Sequence, residues 1–213
     1  MSIILSYLPL LLAGAGYTLI ITLVAMVFGS AIGMLVALMQ ISAFRALQVI
    51  AKTYNSLFRG LPLLIQILYI YFGLPLLTGI RIPALVAGAV AMTLYTGAFM
   101  AAIFRAGIES VDRGQLEAGR TIGFSHWQAM RLIVFPQAFW RMIPAVANQF
   151  SITLKDTSLL SVIGVAELTM RGQSIYSANF DTIRVLSMVG IIYFIIFFIA
   201  ERFSFYLEKR FSQ

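Results

Sequence analysis

From Met1 to Phe44 the chain carries no charged residue, and the first charge is Arg45. A helix built from such a stretch shows hydrocarbon on every side. Helices in water keep a polar face, so this segment needs either a very large surrounding core or a lipid solvent. The rest of the chain supplies no such core. Of 213 residues, 61% are hydrophobic and 11% are charged, and the mean hydropathy is +0.94. Soluble domains are about 45–50% apolar and about 25% charged. The solvent is therefore a bilayer, where only helices and closed barrels satisfy every backbone polar group.

A spanning helix needs about 20 apolar residues. Five stretches qualify, at residues 14–39, 54–77, 83–104, 138–166 and 183–204. The expected fold class is an all-α membrane protein, one domain over residues 1–213. The fourth stretch is the least regular, because Lys155 and Asp156 interrupt it. Met142 to Leu154 makes only about 20 Å of helix, too short to cross alone. Thr157 to Ala166 continues apolar, so the charged pair is expected at membrane depth. Five spans put the termini on opposite sides. Eleven of the 15 Lys and Arg residues fall in the loops around Arg45–Arg59, Arg105–Arg141 and Arg202–Arg210, against three (Arg81, Arg171, Arg184) in the others. Positive charge stays inside, which places the N-terminus outside and the C-terminus in the cytoplasm. The N-terminus has no basic lead-in and no small-residue cleavage site, so a cleaved signal peptide is not expected.

The net charge of +7 reads as cytoplasmic loops rather than as a nucleic-acid surface. Cysteine is absent, which excludes disulfides and thiolate chemistry, and the lone His126 builds no metal site. No G-x-x-x-x-G-K-[ST] phosphate cradle occurs. No cofactor is expected on this chain.

The loop of residues 106–137 is the polar exception. Arg105 to Arg141 holds eight of the 23 charged residues. Asp112 with Gln115, and Ser125 with Gln128, have the spacing of capping boxes. Gly123 stands where a left-handed C-cap ends a first helix. Pro136 is expected to close the second. Two short helices with a tight turn near Gly123-Phe124 result, and Trp127, Met130 and Val134 fall roughly along one face. Three uses fit: a loop packed only on its own spans, a DNA-reading helix-turn-helix, or a docking surface for a cytoplasmic partner. The acids Glu109, Asp112 and Glu117 among the bases argue against DNA.

The residues themselves carry a resemblance. Glu117-Ala118-Gly119, then Gly123, then Ile133 and Pro136, have the spacing of the signature loop of permease subunits of bacterial ATP-binding-cassette importers. Phe58 to Ile67 (FRGLPLLIQI), Phe104 to Gly123 and Leu154 to Leu168 (LKDTSLLSVIGVAEL) are similar to the polar amino acid branch (histidine, glutamine, glutamate, arginine) of that family. Gly119 replaces a frequent second Ala, Phe135 a usual Leu, and Ala102 stands where the branch often has Glu. The resemblance implies a type I importer permease fold in the bacterial inner membrane. It implies a second permease subunit (identical or different), two cytoplasmic ATPase subunits that carry the ATP and magnesium, and an extracytoplasmic amino-acid-binding protein. The loop would then couple ATP hydrolysis to the spans. Glu117 would meet a cation on the ATPase, Gly123 permit the turn, Phe124 and Trp127 give apolar docking, and Ala118, Gly119, Ile133 and Pro136 complete the coupling signature.

Inside the membrane, ionised groups cost at least about 2.5–3.5 kcal/mol each and mark transport paths. Lys155 and Asp156 point about 100° apart on a helix and cannot simply pair side by side. A zwitterionic amino acid would suit both. Thr157, Ser158, Gln149, Asn148 and Gln66 are further pathway candidates, with interhelical hydrogen bonding as their alternative role. Glu167 is expected near the outer surface, either at the mouth of the path or as a solvated terminus. The expected function is a permease that catalyses no covalent chemistry and imports a polar amino acid by alternating access. The rivals are an ATP-independent transporter or channel subunit, and a membrane scaffold without transport.

Overall fold

The computed structural model describes residues 2–211, and every regular element among them is helical. Helix α1 (Ser2–Ile41) holds an apolar stretch from Ser6 to Ile41, about 54 Å of helix and more than a bilayer's hydrocarbon core. A turn reverses the chain, with the Ser42 hydroxyl accepting from the Phe44 N–H and the Ser42 carbonyl accepting from Gln48. Helix α2 (Arg45–Gly60) comes next. Lys52, Asn55, Ser56 and Arg59 share one side of it, and Leu47, Ile50 and Leu57 the other.

The continuous helix expected over 54–77 is broken instead. Pro62 has no N–H to continue α2, and Leu61 is extended at φ −102° and ψ 140°. The chain bends by 103° between Arg45–Gly60 and Leu63–Thr78. Beyond the bend lie α3 (Leu63–Leu68), a π turn at Tyr69–Gly73 and α4 (Leu74–Thr78), ended by Gly79 at φ +75°. Helix α5 (Ala84–Glu109) starts behind Pro83 and returns along α1.

Helices α1 and α5 form the main packing pair, and glycine makes their contact close. A Cβ on Gly33 would sit 2.6 Å from Met100 Cβ, 2.9 Å from the Ala101 N and 2.9 Å from the Gly97 oxygen. Gly29, one turn earlier, faces Thr96 and Gly97 almost as tightly. This is the small-x-x-x-small pattern by which helices pack in lipid. The spacing is present in the sequence as Gly29-Ser-Ala-Ile-Gly33.

After α6 (Arg113–Thr121) come α7 (His126–Ala129), a π turn at Met130–Val134 and α8 (Phe135–Asp156) in one unbroken helical run. Pro136 therefore does not close the second loop helix. It sits in the first turn of α8, where a missing N–H costs little, and the preceding π turn makes room for its ring. The π turn also rotates the register. Val134 is buried and Met130 half-buried while Trp127 is 63% exposed, so the three do not share a face as expected.

The helix expected to continue to 166 stops at Asp156. A tighter 3-10 segment covers Thr157–Ile163, and Gly164 ends it at φ +77°. Helix α9 (Leu168–Asn179) and helix α10 (Thr182–Phe211) complete the chain. Among the described residues three helices are long and apolar enough to cross a membrane (Ser6–Ile41, Ala84–Glu109, Thr182–Tyr206), and the bent pair makes a fourth if it counts as one span, against the five spans expected. Helix α10 shows Ile191, Phe194, Ile195, Phe198 and Ile199 to the outside, a lipid-facing surface rather than a water-facing one.

Candidate functional site

The polar loop is built by local capping. The Asp112 carboxylate accepts from the Gly114 N–H at 2.7 Å and starts α6, although Gln115 does not return the bond through its side chain. Gly123, at φ +94°, closes the helix: its N–H donates to the Arg120 oxygen at 3.1 Å, and the Phe124 N–H donates to the Gly119 oxygen at 3.1 Å. Ser125 and Gln128 form a full capping box, at 3.3 Å and 2.8 Å. Arg141 donates to the Ser110 carbonyl and ties the far end of the loop to the end of α5.

Close packing then joins α6 to α7 and the π turn behind it. A Cβ on Gly119 would lie 2.6 Å from Ile133 Cδ1 and 3.1 Å from Ala129 Cβ. An alanine here would push on the Ile133 side-chain tip and the Ala129 methyl. With Gly119 buried, Glu117 and Ala118 turn outward. Glu117 has no ion pair among the described residues. On the same loop Ile122 is 72% exposed and Trp127 63% exposed, with Phe124 half-buried between them in sequence. Ile122 and the exposed Leu132 were not legible as surface residues, because the turn and the π register decide which way they face. Ile133 is half-buried and Pro136 exposed.

The intramembrane candidates separate into three groups. Lys155 and Ser158 line a cavity of about 450 Å³ against α10, and the Lys155 ammonium lies 4.1 Å from the Phe197 ring centroid. Asp156 is half-buried and does not line that cavity. Asn148 lines a different cavity, with Pro144 and Glu201. The adjacent Lys155 and Asp156 thus serve different faces.

The second group bonds inside the protein. Gln149, 3% exposed, donates to the Thr153 hydroxyl at 3.3 Å, and Thr153 meets Thr96 of α5 at 3.4 Å. The Thr157 hydroxyl donates to the Leu154 oxygen.

The third group caps helix ends. Gln66, 6% exposed, donates to the Phe58 and Leu61 oxygens, both at 2.9 Å, and so satisfies carbonyls that the 103° bend frees. Glu167 is not a solvated terminus. It is fully buried, accepts from the Thr169 and Met170 N–H groups at 2.9 Å and 2.7 Å, and accepts from the Tyr193 hydroxyl at 2.8 Å. Thr18 accepts from the next N–H, that of Leu168. Replacing Glu167 with Ala removes a buried cap and leaves the Tyr193 hydroxyl with Thr169 as its partner, at 3.0 Å. It is expected to cost about 2–3 kcal/mol. Thermal unfolding of the purified chain checks this, and an unchanged midpoint would remove the capping role.

Residues 29–213 match the family described as the binding-protein-dependent transport system inner membrane component. The glutamine transport system permease protein GlnP of Escherichia coli (strain K12) is 36% identical over 203 residues, covering 95% of this chain and 93% of that protein. The arginine transport system permease protein ArtQ of Bacillus subtilis (strain 168) is 35% identical over 188 residues, covering 88% and 86%. The crystal structure of an amino acid ABC transporter with histidines matches with a TM-score of 0.92 at 36% identity, over 97% of this chain and 96% of that one. A match to the inward-facing MetNI methionine ABC transporter, TM-score 0.73 at 21% identity over 94% of this chain and 97% of that one, shows the shared fold alone. A helical membrane chain with this capped signature loop, this fold and these relatives belongs to the binding-protein-dependent transport system inner membrane component family, as a transport subunit of the ABC importer type.

Proposed function

We propose that the chain forms the translocation path of an ATP-driven importer for a polar amino acid in a bacterial inner membrane, N-terminus outside and C-terminus in the cytoplasm. Two permease subunits pair, two ATPase subunits dock beneath them, and an extracytoplasmic binding protein delivers substrate from above. The observation that carries the proposal is the outer face of the capped loop. Glu117, Ala118, Ile122 and Trp127 are exposed together on a rigid helix pair, with nothing among the described residues to cover them. Rigid elements transmit a push that a loose loop would absorb, and an exposed Trp and an exposed carboxylate on one loop suit an anchor entering a partner's groove. The names of the relatives, permeases for glutamine and arginine, support a polar amino acid as substrate.

Reconstitution tests the proposal. The chain is placed in vesicles with its ATPase and binding protein, and uptake of labelled glutamate, glutamine, arginine and histidine is measured. Uptake of one of them is expected only when ATP is supplied on the ATPase side. Uptake driven by an ion gradient without the ATPase would overturn the proposal in favour of a secondary transporter. Absence of transport under all conditions would favour a scaffold.

A further inference from the structure

We infer that the polar cleft between α1, α2 and α5 is a subsite for the carboxylates of an anionic amino acid. The inference rests on the import function proposed above and narrows its substrate class. It starts from a stripe on α5. Tyr95, Phe99, Ala102, Ala106 and Glu109 recur at alternating spacings of four and three and so share one face.

The Tyr95 and Phe99 rings touch, with centroids 4.8 Å apart. The Arg59 guanidinium lies 5.2 Å from the Phe99 ring centroid. Below Phe99 the two alanines leave space, and a cavity of about 460 Å³ opens there. Its lining includes Gln40, Lys52, Asn55, Arg59, Arg105 and Glu109. The volume is within the usual range of small-molecule sites, about 300–1,000 Å³. One continuous face thus runs from Tyr95 through Phe99 to a charged cleft.

The charges of the cleft do not balance. Three cations face one acid, and Glu109 already holds the Arg105 Nε at 2.8 Å. Gln40 accepts from the same guanidinium at 3.5 Å. Lys52 and Arg59 have no carboxylate partner among the described residues. Buried beside them, the Asn55 Oδ1 has no hydrogen-bond partner. These are the complements of a dicarboxylic amino acid. Lys52 and Arg59 take the two carboxylates, and Asn55 Oδ1 accepts from the ammonium group. A substrate with a cationic side chain would meet two like charges, with Glu109 committed to Arg105. Ala102 matters for the same reason: its neutral methyl lines the cleft, and a glutamate there would compensate the cations.

The complex of permease and ATPase, purified without the binding protein, isolates the permease's own preference. Labelled glutamate is bound to it in a scintillation proximity assay. Glutamate is expected to be displaced by aspartate and not by arginine. Arg59→Gln and Lys52→Gln should each weaken binding by about tenfold, the loss of one charge-assisted contact. Ala102→Glu should shift preference from glutamate toward arginine. Size-exclusion profiles select variants that still assemble, and the two cation variants stand in for each other if one does not.

Absence of glutamate binding, displacement by arginine as effective as by aspartate, or unchanged affinity in both cation variants overturns the inference. So does displacement by phosphatidylglycerol but not by aspartate, which would make the cations lipid anchors. ATP-driven uptake of a neutral or cationic amino acid would remove this subsite while the import function itself stood.

Discussion

Gly33→Val is expected to yield a chain that inserts but does not hold its fold. The methyl groups would enter the α1–α5 contact, where the nearest atoms are Met100 Cβ, the Ala101 N and the Gly97 oxygen, at 2.6–2.9 Å from the first added carbon. Two of these are backbone atoms and cannot turn aside. Overpacking where side chains can shift costs about 1–3 kcal/mol. Here the helices themselves must separate, and with them the main packing pair of the fold, so about 3 kcal/mol or more is expected. For a chain of this size that lowers the unfolding midpoint by roughly 10 °C. Gly16→Val is the control, because nothing lies within 4 Å of its added Cβ. Thermal unfolding in detergent, with size exclusion afterwards, checks both. Equal midpoints for the two variants would show that the close contact is not what holds α1 to α5.

Trp127→Ala is expected to leave the fold alone and disconnect the ATPase. The indole is 63% exposed and α7 keeps its capping box without it, so the unfolding midpoint should barely move. Binding should suffer, because an exposed Trp at an interface is a frequent anchor. Losing one costs about 2 kcal/mol or more, about a thirtyfold weaker association. Affinity for the ATPase, measured by titration of the purified subunits, reads this directly, and ATP-driven uptake should fall with it. Glu117→Gln should lower affinity less and make it less sensitive to salt, as removal of one exposed charge does. Wild-type affinity in Trp127→Ala would move the docking surface elsewhere on the chain.

The capped loop was legible because its determinants are local. Asp112, Gly123, and Ser125 with Gln128 act on backbone groups within a few residues, and the structure places each cap where spacing predicts it. Pro136 was not legible in the same way, because a proline can either end a helix or occupy its first turn, and the π turn before it selects the second. The continuous helix expected over 54–77 failed for a related reason. Pro62 can start a helix or sit beside a kink, and the 103° bend appears with α2 packed against α1 and α5.

The intramembrane polar residues are legible by type and not by role. Gln66, Glu167 and Gln149 look alike in an apolar chain. The structure makes the first two caps and the third a bridge toward α5. Conversely, Lys52, Asn55 and Arg59 lie in one stretch of the sequence and Arg105 about 45 residues on, and only the fold gathers them around one cleft.

Composition determined that this chain lives in lipid, and its apolar runs of about 20 residues determined that it is helical, because hydrocarbon admits no unpaired backbone and a barrel strand needs only about half that length. Local spacing alone determined the capped loop, because helix caps reach no farther than one turn. Tertiary structure alone decided which polar side chains are spent on the protein and which remain open. Their partners lie up to 150 positions away, as Leu168 and Thr18 do, and no periodicity within one helix reports a neighbour from another.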